Sequence, residues 1–152
     1  VIMVSYHTGP VLDRAIAAVL AQSAPVELVL VNNGNPPDVE DQLKAKADAG
    51  PGIRFLTGQG NVGFAKGCNL GARNAQGDCL LFLNPDSLLP PDAVERLHGH
   101  AAKLKRPCML GARLLDEKGK DHYIPAVKEF IAGVDLDKKE IRISLIEGLW
   151  ES

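Results

Sequence analysis

The chain has 152 residues, 45% of them hydrophobic and 24% charged, which suits one globular domain with a real core. Its net charge of -2 offers no basic surface to nucleic acid or to an anionic membrane. No apolar run reaches the ~18 residues of a membrane-spanning helix, and no secretory signal is visible. Cys68, Cys79 and Cys108 are widely spaced and form no Cys-x-x-Cys or Cys/His ligand pattern. They read as buried thiols in a reducing, cytoplasmic setting. Residue 1 already reads as strand, so the sequence is expected to be a fragment of a longer protein.

Val1 to Tyr6 is an apolar run without polar alternation, the pattern of a strand buried on both faces. Val11 to Gln22 places Leu12, Ile16, Val19 and Leu20 on one side and predicts an amphipathic helix. Val26 to Asn32 is a second apolar strand, ended by the turn cluster Asn33-Gly34-Asn35-Pro36-Pro37. Asp38 to Ala49 reads as a polar surface helix and Ile53 to Leu56 as a third strand. Val62 to Asn74 predicts a helix with Phe64, Cys68 and Ala72 at four-residue spacing. Its glycines, Gly63, Gly67 and Gly71, recur at the same interval and permit close packing on a sheet. Cys79 to Leu83 is the most apolar segment and is expected to be the central strand. Pro90-Pro91-Asp92 opens a helix to about Leu104, since proline suits a first turn. Cys108 to Arg113 gives a further strand, and Asp116 to Gly119 a hairpin turn. This alternation predicts an α/β fold, Rossmann-like, with a mainly parallel sheet and flanking helices.

From Tyr123 the pattern changes. Val127 to Ile131 reads as a short helical turn. Val134 to Leu136 and Glu140 to Leu145 flank Asp137-Lys138-Lys139 as a β-hairpin, resembling a piece of a small antiparallel barrel. The expected division is therefore residues 1–121 and a β-rich tail, 122–152.

Chemistry concentrates where strands end. Asn84-Pro85-Asp86 closes the Cys79–Leu83 segment, and a carboxylate there suits Mg²⁺ or Mn²⁺ if a diphosphate supplies further oxygens. As a plain turn, the same triplet caps backbone groups. Asn32-Asn33 closes the second strand, where an amide can pair with a base edge, although Asn-Asn-Gly is also good turn chemistry. Tyr6, at the end of the first strand, could stack on a base. Asn61 to Lys66 opens a helix whose amides and Lys66 could face an anion. His98 and His100 lie two apart on a helix and do not share a face.

Together these stretches are more specific than any one of them. VSYHTGPVLDRAIAAVLAQ, VELVLVNNGN, NVGFAKGCNLGARNAQGDCLLFLNPD, LLPPDAVERL and MLGARLLDEKG, in that order, resemble family 2 glycosyltransferases, nearest the rhamnosyltransferase-like branch. The resemblance covers about residues 1–121. It implies a GT-A sheet that binds a nucleotide-diphosphate sugar, UDP- or dTDP-linked, with Mg²⁺ or Mn²⁺, for transfer to an acceptor hydroxyl. It implies that Ser5, Tyr6 and Asn32 hold the base, that Asn61, Gly63 and Lys66 border the nucleotide, and that Asn84 and Asp86 form the diphosphate and metal site, with Asp86 the ligand. Two positions depart from the family pattern: Asn32 stands where Asp is usual, and Asn84 opens the metal triplet. No acceptor half or catalytic base is recognisable. YIPAVKEFIAGVDLDKKEIRISLIEGLWES, residues 123–152, instead resembles the end of RimM-type ribosome maturation factors. The chain thus reads as a chimera of two fragments, active or a non-catalytic nucleotide-binding or structural module, with an exposed sheet edge that favours a homodimer.

Overall fold

The computed structural model describes residues 1–104 and 110–111, and the backbone of strands at 114–115, 121–122, 131–135 and 140–143. The chain divides into two compact units, Val1–His98 and Gly99–Ser152.

The first unit is built on three parallel strands in the order β1 (Ile2–Ser5), β2 (Leu28–Asn32), β3 (Ile53–Leu56). Ser5 lies beside Asn32, so the two strands end level. Every residue of β1 and β2 is buried, which accounts for their unbroken apolar runs. Successive side chains point to opposite faces, and each face has its own core. Met3, Leu28 and Leu30 pack against Leu12, Ala15, Ile16 and Val19 of α1 (Val11–Leu20) and Leu43 of α2 (Pro37–Ala49). Ile2, Val4, Val29 and Val31 pack against Ala72 of α3 (Phe64–Asn74). Leu30 is fully buried, and truncating such a residue to Ala costs about 2–5 kcal/mol.

The predicted elements match these closely up to α3. Leu20 is a correction: it is the last residue of α1 and 42% exposed, not on the buried face. Phe64 is another, at 53% exposed, although its spacing groups it with Cys68 and Ala72. The Cys79–Leu83 segment is neither central nor a full strand among the described residues. It bridges β1 at Phe82 alone, through Ile2 N–H to the Leu81 carbonyl (2.7 Å) and Leu83 N–H to the Ile2 carbonyl (3.0 Å). Two bonds on one side do not sustain a ladder, and its residues are half-buried apart from exposed Cys79 and buried Leu83. The exposure of Cys79 also corrects its reading as a buried thiol. Cys108 lies outside the described residues.

Gly67 and Gly71 bring α3 onto the sheet. A Cβ at Gly67 would stand 2.9 Å from Val4 Cγ1, and one at Gly71 2.5 Å from Ile2 Cγ2. Gly63 plays no part in that packing, since a Cβ there would meet nothing within 4 Å.

Helix α4 (Ala93–Lys103) begins after the two prolines, as expected, and carries no buried residue. In the second unit β4 (Leu114–Leu115) pairs antiparallel with β5 (Asp121–His122), and β6 (Ile131–Asp135) with β7 (Glu140–Ile143). The latter pair is the hairpin expected in the tail. The predicted Cys108–Arg113 strand and the Asp116–Gly119 turn fall largely outside the described residues. Leu110 and Gly111 are neither helix nor strand, and Ile131, expected in a helical turn, is strand.

Candidate functional site

Parallel strands deliver their carboxyl ends to one edge, and the loops that leave them enclose a cleft of about 410 Å³. Its lining comes from β1 (Val4, Tyr6), from the turn after β2 (Asn33), from the start of α3 (Asn61, Gly63, Phe64) and from Asn84-Pro85-Asp86. Of the residues predicted from sequence, Tyr6, Asn61, Gly63, Asn84 and Asp86 meet there. Ser5 and Asn32 lie beneath it, 0% and 2% exposed, and exposed Lys66 in the first turn of α3 is not part of the lining.

The cleft stands on a frame of asparagines. Asn35 Nδ2 donates to the Ser5 carbonyl (2.9 Å), Ser5 Oγ (3.2 Å) and Asn32 Oδ1 (2.7 Å), and Asn35 Oδ1 accepts from the His7 amide (2.6 Å). That last bond holds His7 at φ 50, the one positive φ outside glycine among the described residues. The turn leaves Tyr6 half exposed, its ring edge-on to His7 at 4.4 Å. Asn32 is used up within the protein. Its Oδ1 accepts from the Asn35 amide (3.1 Å) and Nδ2, and its Nδ2 donates to the Thr57 hydroxyl (3.0 Å), which donates to Glu40 (2.7 Å). Gln59 donates to the Asn32 carbonyl.

Asn33 ties the turn after β2 to the start of α3. Its Oδ1 accepts from the Val62 amide (3.1 Å), and its Nδ2 donates to Asn61 Oδ1 (3.1 Å), which also accepts from the Gly63 amide (3.0 Å). Gly34, at φ +90, lets these loops touch, for a Cβ there would lie 2.8 Å from the Asn61 nitrogen. The sequence marks Asn35 only as a turn residue and Asn33 as a strand-end amide, and nothing in it signals these cross-loop bonds. Phe64 and Val4 are the cleft residues sequence reasoning missed.

Across the cleft Asp86 is exposed and has no ion-pair partner among the described residues. No group of three His, Cys, Asp or Glu side chains among the described residues could hold a metal unaided. The donors present are one carboxylate and the Asn84 amide oxygen, both hard oxygens suited to Mg²⁺ or Mn²⁺ once phosphate oxygens and water complete the shell. Cys68 on α3 is no nucleophile, since burial pushes its thiol up to about 11. A larger hollow, about 560 Å³, opens near the amino end of β2 between Leu20, Gln22, Val26 and Pro51. It has no ionisable side chain in its lining among the described residues.

The carboxyl-edge cleft and its asparagine frame sit on a parallel α/β sheet, and comparison with known proteins places it. Residues 1–146 match glycosyl transferase family 2, and the chain belongs to that family. An uncharacterized glycosyltransferase of Nostoc sp. (strain PCC 7120) is 30% identical over 98 residues, covering 64% of this chain and 30% of that protein. The mannosyltransferase PcManGT from Pyrobaculum calidifontis, in complex with GDP-Man and Mn²⁺, superposes with a TM-score of 0.58 at 21% identity, over 70% of this chain and 32% of its own. S. aureus TarS gives 0.58 at 17% identity, over 67% of this chain and 19% of its own. These two likenesses establish the GT-A fold. A stretch of 34 residues is 44% identical to the ribosome maturation factor RimM of Lactobacillus delbrueckii subsp. bulgaricus, covering 22% of this chain and 20% of that protein. The chain therefore spans about a third or less of the relatives it resembles. No described helix is long and apolar enough to cross a membrane.

Proposed function

We propose that the chain forms the nucleotide-sugar half of a family 2 glycosyltransferase, binding a UDP- or dTDP-linked sugar with Mg²⁺ or Mn²⁺. The observation that carries this is the placement of exposed Asp86 and Asn84 in the cleft that Tyr6, Asn61 and Gly63 also line. Asp86 holds the cation and Asn84 assists. A divalent cation there offsets the diphosphate charge and stabilises the leaving nucleoside diphosphate. Ser5 and Asn32 shape the floor. Lys66 and the amides of the first turn of α3 contribute positive potential. The mannosyltransferase with GDP-Man and Mn²⁺ bound supports both the donor class and the metal. Glycosyl transfer to an acceptor hydroxyl is the proposed reaction of the whole enzyme, in the cytoplasm. Among the described residues the cleft lining offers no carboxylate or imidazole as general base apart from Asp86, which would be committed to the cation.

Calorimetric titration with UDP and dTDP, with and without Mn²⁺, tests this on the native chain and on Asp86→Ala. Metal-dependent binding abolished in the variant supports the site, and absence of binding by the folded native chain refutes it. A second reading, favoured by the RimM match, is that residues 122–152 come from a ribosome-factor barrel and that the chain holds nucleotide without transfer. It predicts nucleotide affinity with no sugar transfer. The sheet edge beside Phe82, unpaired among the described residues, would support a homodimer, which analytical ultracentrifugation would reveal.

A further inference from the structure

Two large aromatic side chains open onto the cleft, Tyr6 and Phe64, 50% and 53% exposed. Tyr6 is braced by His7, whereas Phe64 has no ring partner among the described residues. An apolar ring left half in water is an unfavourable surface that a ligand face would cover. Phe64 is also the first residue of α3, which the Gly67 and Gly71 contacts seat on Val4 and Ile2. The ring is carried by a packed element, not by a loose loop.

Beside it, the orientation of Asn61 follows from its partners. The Gly63 amide can only donate, so the atom facing it is Oδ1, and Asn33 Nδ2 donates to the same oxygen. Asn61 is exposed, and its Nδ2 is a donor with no partner among the described residues. Asn32, by contrast, is 2% exposed with both carboxamide atoms engaged by Asn35 and Thr57. On this side of the cleft the amide edge open to a ligand belongs to Asn61.

We infer that Phe64 and Asn61 form the nucleobase subsite: the Phe64 ring stacks on the base, and Asn61 Nδ2 donates to a base carbonyl. Asn32 is a positioning residue beneath them. This rests on the nucleotide-sugar reading of the cleft and adds to it the residues that take the base.

The test is calorimetric titration of the whole chain with UDP and with inorganic pyrophosphate, each with Mn²⁺. Stacking of a base on an aromatic ring sets the expected loss for Phe64→Ala at roughly 5- to 100-fold in UDP affinity. Pyrophosphate affinity stays within about twofold, because that ligand has no base, and Phe64→Tyr retains UDP binding. Phe64 is exposed, so both variants keep the native melting transition. UDP affinity unchanged in Phe64→Ala, or lost in equal measure with pyrophosphate, overturns the assignment. A native chain that binds pyrophosphate as tightly as UDP also overturns it while leaving the diphosphate and metal site standing. A native chain that binds neither removes both.

Discussion

Gly71→Ala tests the packing that sets the height of α3 over the sheet. The new Cβ would lie 2.5 Å from Ile2 Cγ2, 3.4 Å from Val31 Cγ2 and 3.5 Å from Ile2 Cγ1. Carbon atoms rest at about 3.5–4.0 Å, so α3 or β1 must yield by roughly 1 Å. Ile2 cannot swing aside: it is β-branched, 1% exposed, and its backbone is bonded to the 81–83 segment through both its N–H and its carbonyl. Overpacking of this kind costs about 1–3 kcal/mol, and the shortness of the contact places it near the upper figure. The alanine returns about 1 kcal/mol through better helix propensity. The net loss is about 2 kcal/mol, or roughly 4–8 °C in a thermal melt followed by circular dichroism. Gly67→Ala, at 2.9 Å from Val4 Cγ1, should fall between Gly71→Ala and the native chain. Gly99→Ala is the control. It lies in α4 with nothing within 4 Å of its Cβ, and should gain up to about 1 kcal/mol. A Gly71→Ala protein as stable as the native chain, or a Gly99→Ala protein destabilised to the same degree, would refute the reasoning.

Asn35→Ala removes a buried hub: the His7 amide loses its acceptor, while the Ser5 carbonyl and Asn32 Oδ1 keep only the backbone amides of Asn33 and residue 35; urea denaturation should show a loss of about 1–3 kcal/mol. Glu27 accepts from the Gln76 amide and pairs with Arg54 at 2.9 Å, and these contacts hold its carboxyl below the usual 4.5. Because the folded value is the lower one, its stabilisation is present above about pH 4.5 and fades as pH falls through the depressed value. Glu27→Gln should therefore cost about 0.5–1 kcal/mol near neutral pH and nothing in acid, read from melts across pH; an equal deficit at every pH would count against the ion pair. At mildly alkaline pH, iodoacetamide followed by peptide mass spectrometry should label exposed Cys79 well before Cys68, whose thiol burial raises to about 11.

Two strands of the sheet were legible because a strand buried on both faces reads as a mainly apolar run, as Val1 to Tyr6 and Val26 to Asn32 do; Ile53 to Leu56, half-buried and interrupted by Arg54, was legible as a short apolar pattern after the Gly50-Pro51-Gly52 turn. The Cys79–Leu83 run carries the same signal, yet it engages β1 at one bridge only, since apolarity reports burial and not the number of neighbours a strand finds. Periodicity assigned Phe64 to the packed side of α3, but the first residue of a helix can project past the sheet it leans on, and this one opens into the cleft. The clustering of Tyr6, Asn61, Asn84 and Asp86 could be anticipated, because strand ends of a parallel sheet share an edge. The engagement of Asn32 by Asn35 and Thr57 could not be, because it depends on bonds among three loops far apart in sequence.

The frame beneath the cleft is made of carboxamides, from Asn32, Asn33, Asn35 and Asn61. Carboxamides do not titrate, and Asp86 is the single carboxylate in the lining among the described residues. The asparagine-to-asparagine bonds of the frame are thus indifferent to acidity across the range in which a diphosphate gains and loses protons. The pH profile of ligand affinity would then follow the ligand's own ionisation, and a melting curve taken over the same range would show whether the protein's stability changes with it.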